Sequence, residues 1–520
     1  MRDLVEWRKG VFSTDRIHGL YERWVRQCPD KAAWEDPEGI LTYSQLDQAV
    51  GTAAMNLAAA GLRAGDRLVI VGENSSALGV LLFAASKLDA CAVISNARLS
   101  AREIDNVIGH AQPRIAAFTC AASRDARQHA LRHGAIEAAW SGGTVAIAQL
   151  PADGPEATTG AAAEDQVAVI LYTSGTSGNP KGVMLTHGNL LFLAESVVRA
   201  RLLHSSDRSY GVGPYAHIAG LQQLLGALSV GATSIIQSRY SPAAMADALA
   251  NRGLTVVGGV PALWSKLFDW YQKEAVVPSA PHLRCATAGG APVTETLRVA
   301  VEQTFGLPLN NTYGMTEATP IAYTRMDQSR ADASVGPPAV GMEIRIVRPD
   351  GEAVAPGDVG ELHVRGPAVM KGYYKSPDLT AAVLTREGWL NTGDLARQGA
   401  DTALFIVGRT KELIIRSGFN VYPVEIEEIL NAHADVVQSA VVGRNVSGDE
   451  EVVAFVEVAK AVTPGELTRF LRAHLAPYKI PSSIVIMERM PASPTGKILK
   501  NQLREMAASA ATGIRVGAAG

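Results

Sequence analysis

The sequence predicts an α/β protein: a large N-terminal domain of helix-covered sheets with a β-rich subdomain, then a small α+β C-terminal domain. Three observations predict it. The chain has 520 residues, 47% hydrophobic against 19% charged and 6% aromatic, which suits a packed aliphatic core of several units and excludes global disorder. Amphipathic helical periods alternate with short β-type runs over much of the chain. The texture then changes, near residue 341 and again after Gly408.

In order, Tyr43 to Ala60 and Ser75 to Leu88 have helical periods, separated by the β-type run Arg67 to Val71. Ser141 to Asp165, rich in Gly, Ala, Pro and Thr, predicts an irregular connection ending where Val167 to Tyr172 begins a buried strand. Ser234 to Gln237 and Thr255 to Val260 predict strands, with helices over Ser241 to Arg252 and Pro261 to Trp270; a parallel sheet covered by helices follows. From Gly341 to Arg409 short alternating strands with Gly turns, such as Glu343 to Val347, Gly360 to Val364 and Ala403 to Val407, predict the β-rich part. After it come strand Leu413 to Arg416, helix Pro423 to Ala432, strands Val436 to Gly443 and Glu451 to Val458, helix Thr463 to Leu475 and strand Ser483 to Met487. The tail from Ala507 onward is small and polar and is expected to fray.

Charge excludes some functions. With 48 Lys and Arg against 51 Asp and Glu the net charge is −3, so no broad basic surface for nucleic acid or anionic lipid is expected. The four cysteines, Cys28, Cys91, Cys120 and Cys285, have no zinc spacing and read as reduced thiols. No signal peptide and no integral membrane segment is visible, so a cytoplasmic protein is expected.

The stretch Tyr172-Thr-Ser-Gly-Thr-Ser-Gly-Asn-Pro-Lys-Gly182 follows an apolar strand and precedes the helical run Asn189 to Arg199. Composition alone leaves open a solvated linker or a phosphate cradle in which backbone N–H groups, hydroxyls and Lys181 meet a polyphosphate. A Walker loop is disfavoured, because Pro180 precedes the lysine and Gly182 follows it.

This run resembles the phosphate loop of the adenylate-forming superfamily of acyl-CoA synthetases, luciferases and peptide-synthetase adenylation domains, closest in look to bacterial fatty or aryl acid CoA ligases. Further matches stand in that family's order: Leu41-Thr-Tyr-Ser-Gln-Leu46, Gly289-Gly-Ala-Pro292, Tyr313-Gly-Met-Thr-Glu317, Gly360-Glu-Leu-His-Val-Arg-Gly366, Thr392-Gly-Asp394, Gly408-Arg-Thr-Lys411 and Pro494-Thr-Gly-Lys497. They span about residues 41 to 500.

The resemblance implies an ATP- and magnesium-dependent ligase that joins a carboxylic acid to AMP, releasing pyrophosphate, then transfers the acyl group to the thiol of coenzyme A. It implies residues 1–408 as the large domain with its β-rich part at 341–408, a hinge at 409–411 centred on Lys411, and residues 412–520 as a mobile small domain. Lys497 is then the principal catalytic lysine, with Thr316 on the α-phosphate, Glu317 as magnesium ligand and His217 beside the reacting carboxylate. Thr173, Ser174, Gly175, Thr176, Ser177, Gly178 and Lys181 cradle phosphates. Gly289, Gly290, Ala291, Thr312, Tyr313, Gly314 and Met315 form the adenylate site, Tyr313 stacking on adenine, while Asp394, Ile406 and Arg409 serve the ribose side. Gly418 and Lys479 are the coenzyme A candidates.

The acyl pocket implied is Tyr215, His217, Ile218, Ala219, Gly220, Ala288, Gly289 and Pro320. These segments carry small and apolar surface without fixed charge, which favours a neutral tail. Asn310-Asn-Thr-Tyr313 lacks the arginine of malonate-specific relatives, so a monocarboxylic fatty or aromatic acid is expected. Two departures stand out: Asp89 where relatives carry Gly, and Ile480 and Ser482 after Lys479, which weaken the coenzyme A match. Loading of a carrier-protein thiol and a non-catalytic nucleotide-binding relative remain alternatives, and a homodimer is one assembly left open.

Overall fold

Side-chain oxygens set the helix starts. Thr42 with Gln45 and Thr186 with Asn189 form capping boxes that begin helices Tyr43–Ala59 and His187–Arg201, and Ser75 caps Ser76–Lys87. Residues 76–86 of that last helix are buried all round, as expected of a helix held between packed layers. The structure is a computed structural model that describes residues 14–140, 143–151, 163–173, 181–417, 419–446, 449–492 and 498–511.

Two eight-stranded sheets form the bulk of the molecule. One runs, edge to edge, Gly372–Tyr373, Lys181–Thr186, Val167–Thr173, Cys91–Asn96, Arg67–Gly72, Ile115–Thr119, Gly143–Gln149 and Ile136–Trp140. The other runs Ala318–Tyr323, Leu309–Met315, Cys285–Gly289, Val256–Gly259, Arg208–Gly211, Thr233–Ile236, Ala32–Asp36 and Gly39–Thr42. Each has a parallel centre and antiparallel edges, so the expectation of a parallel sheet holds only for the middle strands. An antiparallel four-stranded sheet follows, Glu343–Val347, Gly360–Arg365, Leu390–Gln398 and Leu404–Arg409.

From Ile414 onward the chain builds separate sheets: Ile414–Arg416 with Phe419–Val421, and Val436–Val446, Asp449–Val458 and Ser483–Met487. Helices Pro423–Asn431 and Pro464–Arg472 cover them around two apolar clusters of their own. Among the described residues no helix is long and apolar enough to cross a membrane. Cys91, Cys120 and Cys285 are buried and Cys28 is half-buried, and among the described residues none of them forms a disulfide.

Three sequence expectations are corrected. Within Ser141 to Asp165, Gly143–Gln149 is a strand paired on both sides, because Thr144, Val145 and Ile147 supply β-forming side chains that the Gly/Ala-rich window diluted. Residues 500 to 511 form helix Lys500–Ala511, and Ala507 packs into a buried cluster instead of fraying. Lys181 opens strand Lys181–Thr186, antiparallel to Val167–Thr173 with Thr173 opposite Lys181, so a second strand stands between the Gly/Ser/Thr run and its helix. Asp89 sits at φ 53, a left-handed position Asp tolerates, and its carboxylate meets the Arg16 Nε at 2.9 Å.

Candidate active site

The hairpin of Leu309–Met315 and Ala318–Tyr323 carries Tyr313, Thr316 and Glu317. Its neighbour is strand Cys285–Gly289, where Gly289 lies opposite Thr312. A Cβ at Gly289 would stand 2.5 Å from the Thr312 Cγ2 and 2.6 Å from its carbonyl oxygen, so close strand approach requires glycine there. Gly290 follows at φ 78, turning the chain so that Ala291 is exposed at the end of the strand. At Gly314 a Cβ would come 2.8 Å from the Thr319 Oγ1, whose hydroxyl donates to the Met315 carbonyl.

The Tyr313 hydroxyl donates to Asp394 Oδ2 at 2.5 Å, and the Arg409 Nε stands 3.0 Å from Asp394 Oδ1. Asp394 is buried inside strand Leu390–Gln398, directly opposite Arg409. Gly393 at φ 70 and a 3.1 Å bond from the Asp394 N–H to Thr392 Oγ1 aim its carboxylate. Burial and then the Asp394 charge push the Tyr313 phenol well above its ordinary value, so it remains a donor. Ile406, half-buried, lies on the strand that carries Arg409.

Glu317 stands at the other end of the hairpin. Its Oε1 accepts the Tyr373 hydroxyl at 2.9 Å, and its carbonyl accepts the Met370 N–H at 2.8 Å. The Lys181 ammonium lies 5.1 Å from the Tyr373 ring centroid, a cation–π distance. Asn189, in the first turn of its helix, donates to the carbonyls of Pro367 at 2.7 Å and Val369 at 2.9 Å, which pins the loop that bonds Glu317. Tyr373 was not singled out in the sequence; it lies 56 residues from Glu317, and Lys-Gly-Tyr-Tyr carries no spacing that announces the contact.

His217 is the N-cap residue of helix Ile218–Ser229 and caps nothing with its side chain. Its ring is reached by solvent yet crowded by neighbouring atoms; that desolvation, with Arg98, lowers its pKa and keeps the imidazole neutral at pH 7. Gly220 is required sterically, since any Cβ would collide with the Pro214 carbonyl. Tyr215 and Ala288 are buried in packed clusters, Pro320 is buried, Ile218 is half-buried and Ala219 is exposed. The Tyr215 N–H is held by Asn74 Oδ1 at 2.8 Å, a clamp the sequence reading missed.

Lys479 is placed apart from the hairpin, its ammonium 2.5 Å and 2.7 Å from the two oxygens of Glu425. Lys411 is exposed in the 3-10 turn Thr410–Glu412. Thr173 ends its strand, whereas Ser174, Gly175, Thr176, Ser177, Gly178, Gly418 and Lys497 lie outside the described residues.

The family described as AMP-binding enzyme matches residues 21–374, and its C-terminal domain matches residues 425–497. The chain is 34% identical over 491 residues to a feruloyl-CoA synthase of an Amycolatopsis species, covering 93% of this chain and 97% of that one. It is 33% identical over 501 residues to an indoleacetate–CoA ligase of Aromatoleum aromaticum, covering 92% and 96%. The solved structure of Bacillus subtilis O-succinylbenzoate coenzyme A synthetase in complex with ATP and magnesium ion matches with a TM-score of 0.78 at 28% identity, over 93% of this chain and 98% of that one. With similarity along nearly the whole chain and the architecture in common, the chain belongs to the AMP-binding enzyme family and is an AMP-forming acid–thiol ligase.

Proposed function

We propose that the protein is an acyl-CoA synthetase for an aromatic carboxylic acid, joining it to AMP from ATP with release of pyrophosphate and then to the sulfur of coenzyme A with release of AMP. The observation that carries this reading is the hairpin 309–323, which joins the Tyr313–Asp394–Arg409 cluster at one end to the Glu317–Tyr373 pair beside Lys181 at the other. The aryl choice is supported by relatives named for ferulate and indoleacetate.

In this reading Asp394 accepts the two ribose hydroxyls: a carboxylate has about four acceptor sites, and Tyr313 and Arg409 occupy one on each oxygen. The Tyr313 ring stacks on adenine while its hydroxyl holds the carboxylate in place. Gly289 lets the strand ends stay close beside Thr312, so that the Tyr313–Glu317 turn keeps its shape. Thr316 offers a hydroxyl to the α-phosphate, and Lys181 offsets charge as the acid's carboxylate approaches phosphorus. His217, neutral, can donate to or accept from the acid's carboxylate without adding charge.

Magnesium fits Glu317. The carboxylate has one oxygen engaged by Tyr373, and among the described residues no second acidic or imidazole group gathers with it into a three-ligand cluster. That suits a cation which takes most of its ligands from water and phosphate oxygens. When bound, it would neutralise phosphate charge. Lys497 and Gly418 are proposed for the bridging oxygen and the pantetheine chain, and Lys411 for the hinge between half-reactions.

The test incubates the protein with ATP, magnesium and a panel of aryl and fatty acids, with and without coenzyme A, and measures acyl-AMP and acyl-CoA by mass. Aryl-CoA formation is expected. Acyl-AMP without acyl-CoA from any acid would move the acceptor to a carrier-protein thiol.

A further inference from the structure

Arg201, the last residue of helix His187–Arg201, is 5% exposed, yet its guanidinium has no hydrogen bond and no ion pair with any described residue. It lies between strands: a Cβ at Gly258 would come 2.9 Å from its Nη2 and 2.8 Å from the Thr287 Oγ1. The Thr287 Oγ1 is itself buried without a partner among the described residues. A nearly buried charge close to an unsatisfied hydroxyl is costly unless something else completes the shell.

Both groups border a small open-mouthed pocket of about 10 Å³, room for one water-sized group such as an acceptor oxygen. Its other walls include Gln222 from helix Ile218–Ser229, Asn311 and Thr312 from the strand that carries Tyr313, and Pro320 from the returning strand of the hairpin. Thr312 and Pro320 thus belong both to this cavity and to the candidate active site. Arg201 lies outside the segments from which a neutral pocket was expected, so no fixed charge was expected there.

From these contacts we propose that Arg201 is the specificity-determining residue of the acyl site, donating to an oxygen acceptor at the end of the acid remote from the reacting carboxylate. The inference rests on the ligase reading and deepens it: the preferred acid is one whose far end carries a carboxylate, sulfonate or phenolic oxygen, and a hydrocarbon-ended acid is discriminated against. A guanidinium presents five donors in a planar fork and stays charged even when desolvated. A methyl group placed against it strands those donors, whereas an acceptor oxygen satisfies them together with the Thr287 hydroxyl. Gln222 and Asn311 add polar atoms that tolerate such an end and gain nothing from an alkyl one.

The experiment compares three arylpropenoic acids of equal length that carry carboxylate, hydroxyl or methyl at the ring position opposite the reacting chain. For the wild-type protein, kcat/KM in pyrophosphate release should be at least about tenfold higher for the carboxylate or the hydroxyl acid than for the methyl acid. Arg201→Met should lower that favoured value by at least about thirtyfold, with the methyl acid changing less than about threefold and the KM for ATP unchanged. Arg201→Lys, which keeps the charge, guards against a misfolded variant, and the wild-type ratio needs no variant at all. The same acids are titrated calorimetrically in the presence of AMP, so binding is read even without turnover. Equal kcat/KM for all three acids overturns the proposal alone, as would a guanidinium satisfied by water. Loss on all three acids equally in Arg201→Met also overturns it. Neither turnover nor binding of any acid overturns it together with the ligase reading.

Discussion

Asp394 concentrates the ribose-side chemistry in one buried carboxylate, held by a phenol on one oxygen and a guanidinium on the other. Asp394→Asn exchanges one acceptor for a donor and leaves Arg409 without its anion, so acyl-AMP formation should drop by about a hundredfold. Tyr313→Phe keeps the ring and should cost about tenfold or less, a split that steady-state adenylation kinetics can read. His187 supplies a second residue-scale prediction. Its ring is fully buried and accepts the Ile17 N–H at 3.3 Å; burial, then Arg16 and His18, pull its pKa down to about 3. The unfolded imidazole titrates near 6.5, so between those values the unfolded chain binds one more proton. Stability from this group is therefore complete above pH 6.5 and is lost as pH falls, by about 1.4 kcal/mol per unit, or about 2 kcal/mol by pH 5. Urea unfolding at pH 7 and pH 5 should show this loss, and His187→Asn, which keeps an acceptor for Ile17, should flatten it.

The elements that matter most for function are those whose ends meet. Helix Lys500–Ala511 begins with an ammonium 3.0 Å from the Glu412 carboxylate and 2.8 Å from that of Glu427. These attractions outweigh burial and raise the Lys500 pKa. Lys497 stands three residues before this helix in the chain and Glu412 follows Lys411, so one cation ties the chain just after the proposed catalytic lysine to the proposed hinge. Lys500→Met leaves two carboxylates without their cation and should destabilise the C-terminal part by about 3 kcal/mol, measured by chemical unfolding followed in that part. Lys411→Pro acts on the backbone instead: proline fixes φ within the Thr410–Glu412 turn, so thioester formation should fall more than adenylation. Equal loss of both half-reactions would remove the hinge assignment.

At the scale of the whole molecule, the apolar core is divided. The largest cluster draws on both eight-stranded sheets and the four-stranded one, while the residues after Ile414 pack around two clusters of their own. Separate cores unfold separately unless their interface is large. Scanning calorimetry should therefore resolve two transitions, and ATP with magnesium should raise the larger one by about 3 °C at saturating concentrations. A single transition that moves as a whole on ATP addition would show the two parts unfolding as one cooperative unit.

Periodicity and capping were local, and the sequence alone determined them: Thr42 with Gln45, Thr186 with Asn189 and the alternation in Glu343–Val347 each act within a few residues. Ordered motifs likewise made the adenylate-forming chemistry legible, with Tyr313, Glu317, Asp394 and Arg409 named before any contact was known. Strand Gly143–Gln149 was not legible, because its pairing energy comes from Ile115–Thr119 and Ile136–Trp140 and its own composition reads as a loop. Only the tertiary structure set Tyr373 against Glu317, Lys500 between two glutamates, and Arg201 beside Thr287, at an edge of the candidate acyl site. The physical reason is one of range. A capping oxygen or an alternating pattern is satisfied by its neighbours in the chain, whereas the partner of a buried charge or phenol is chosen by which sheets and helices pack together.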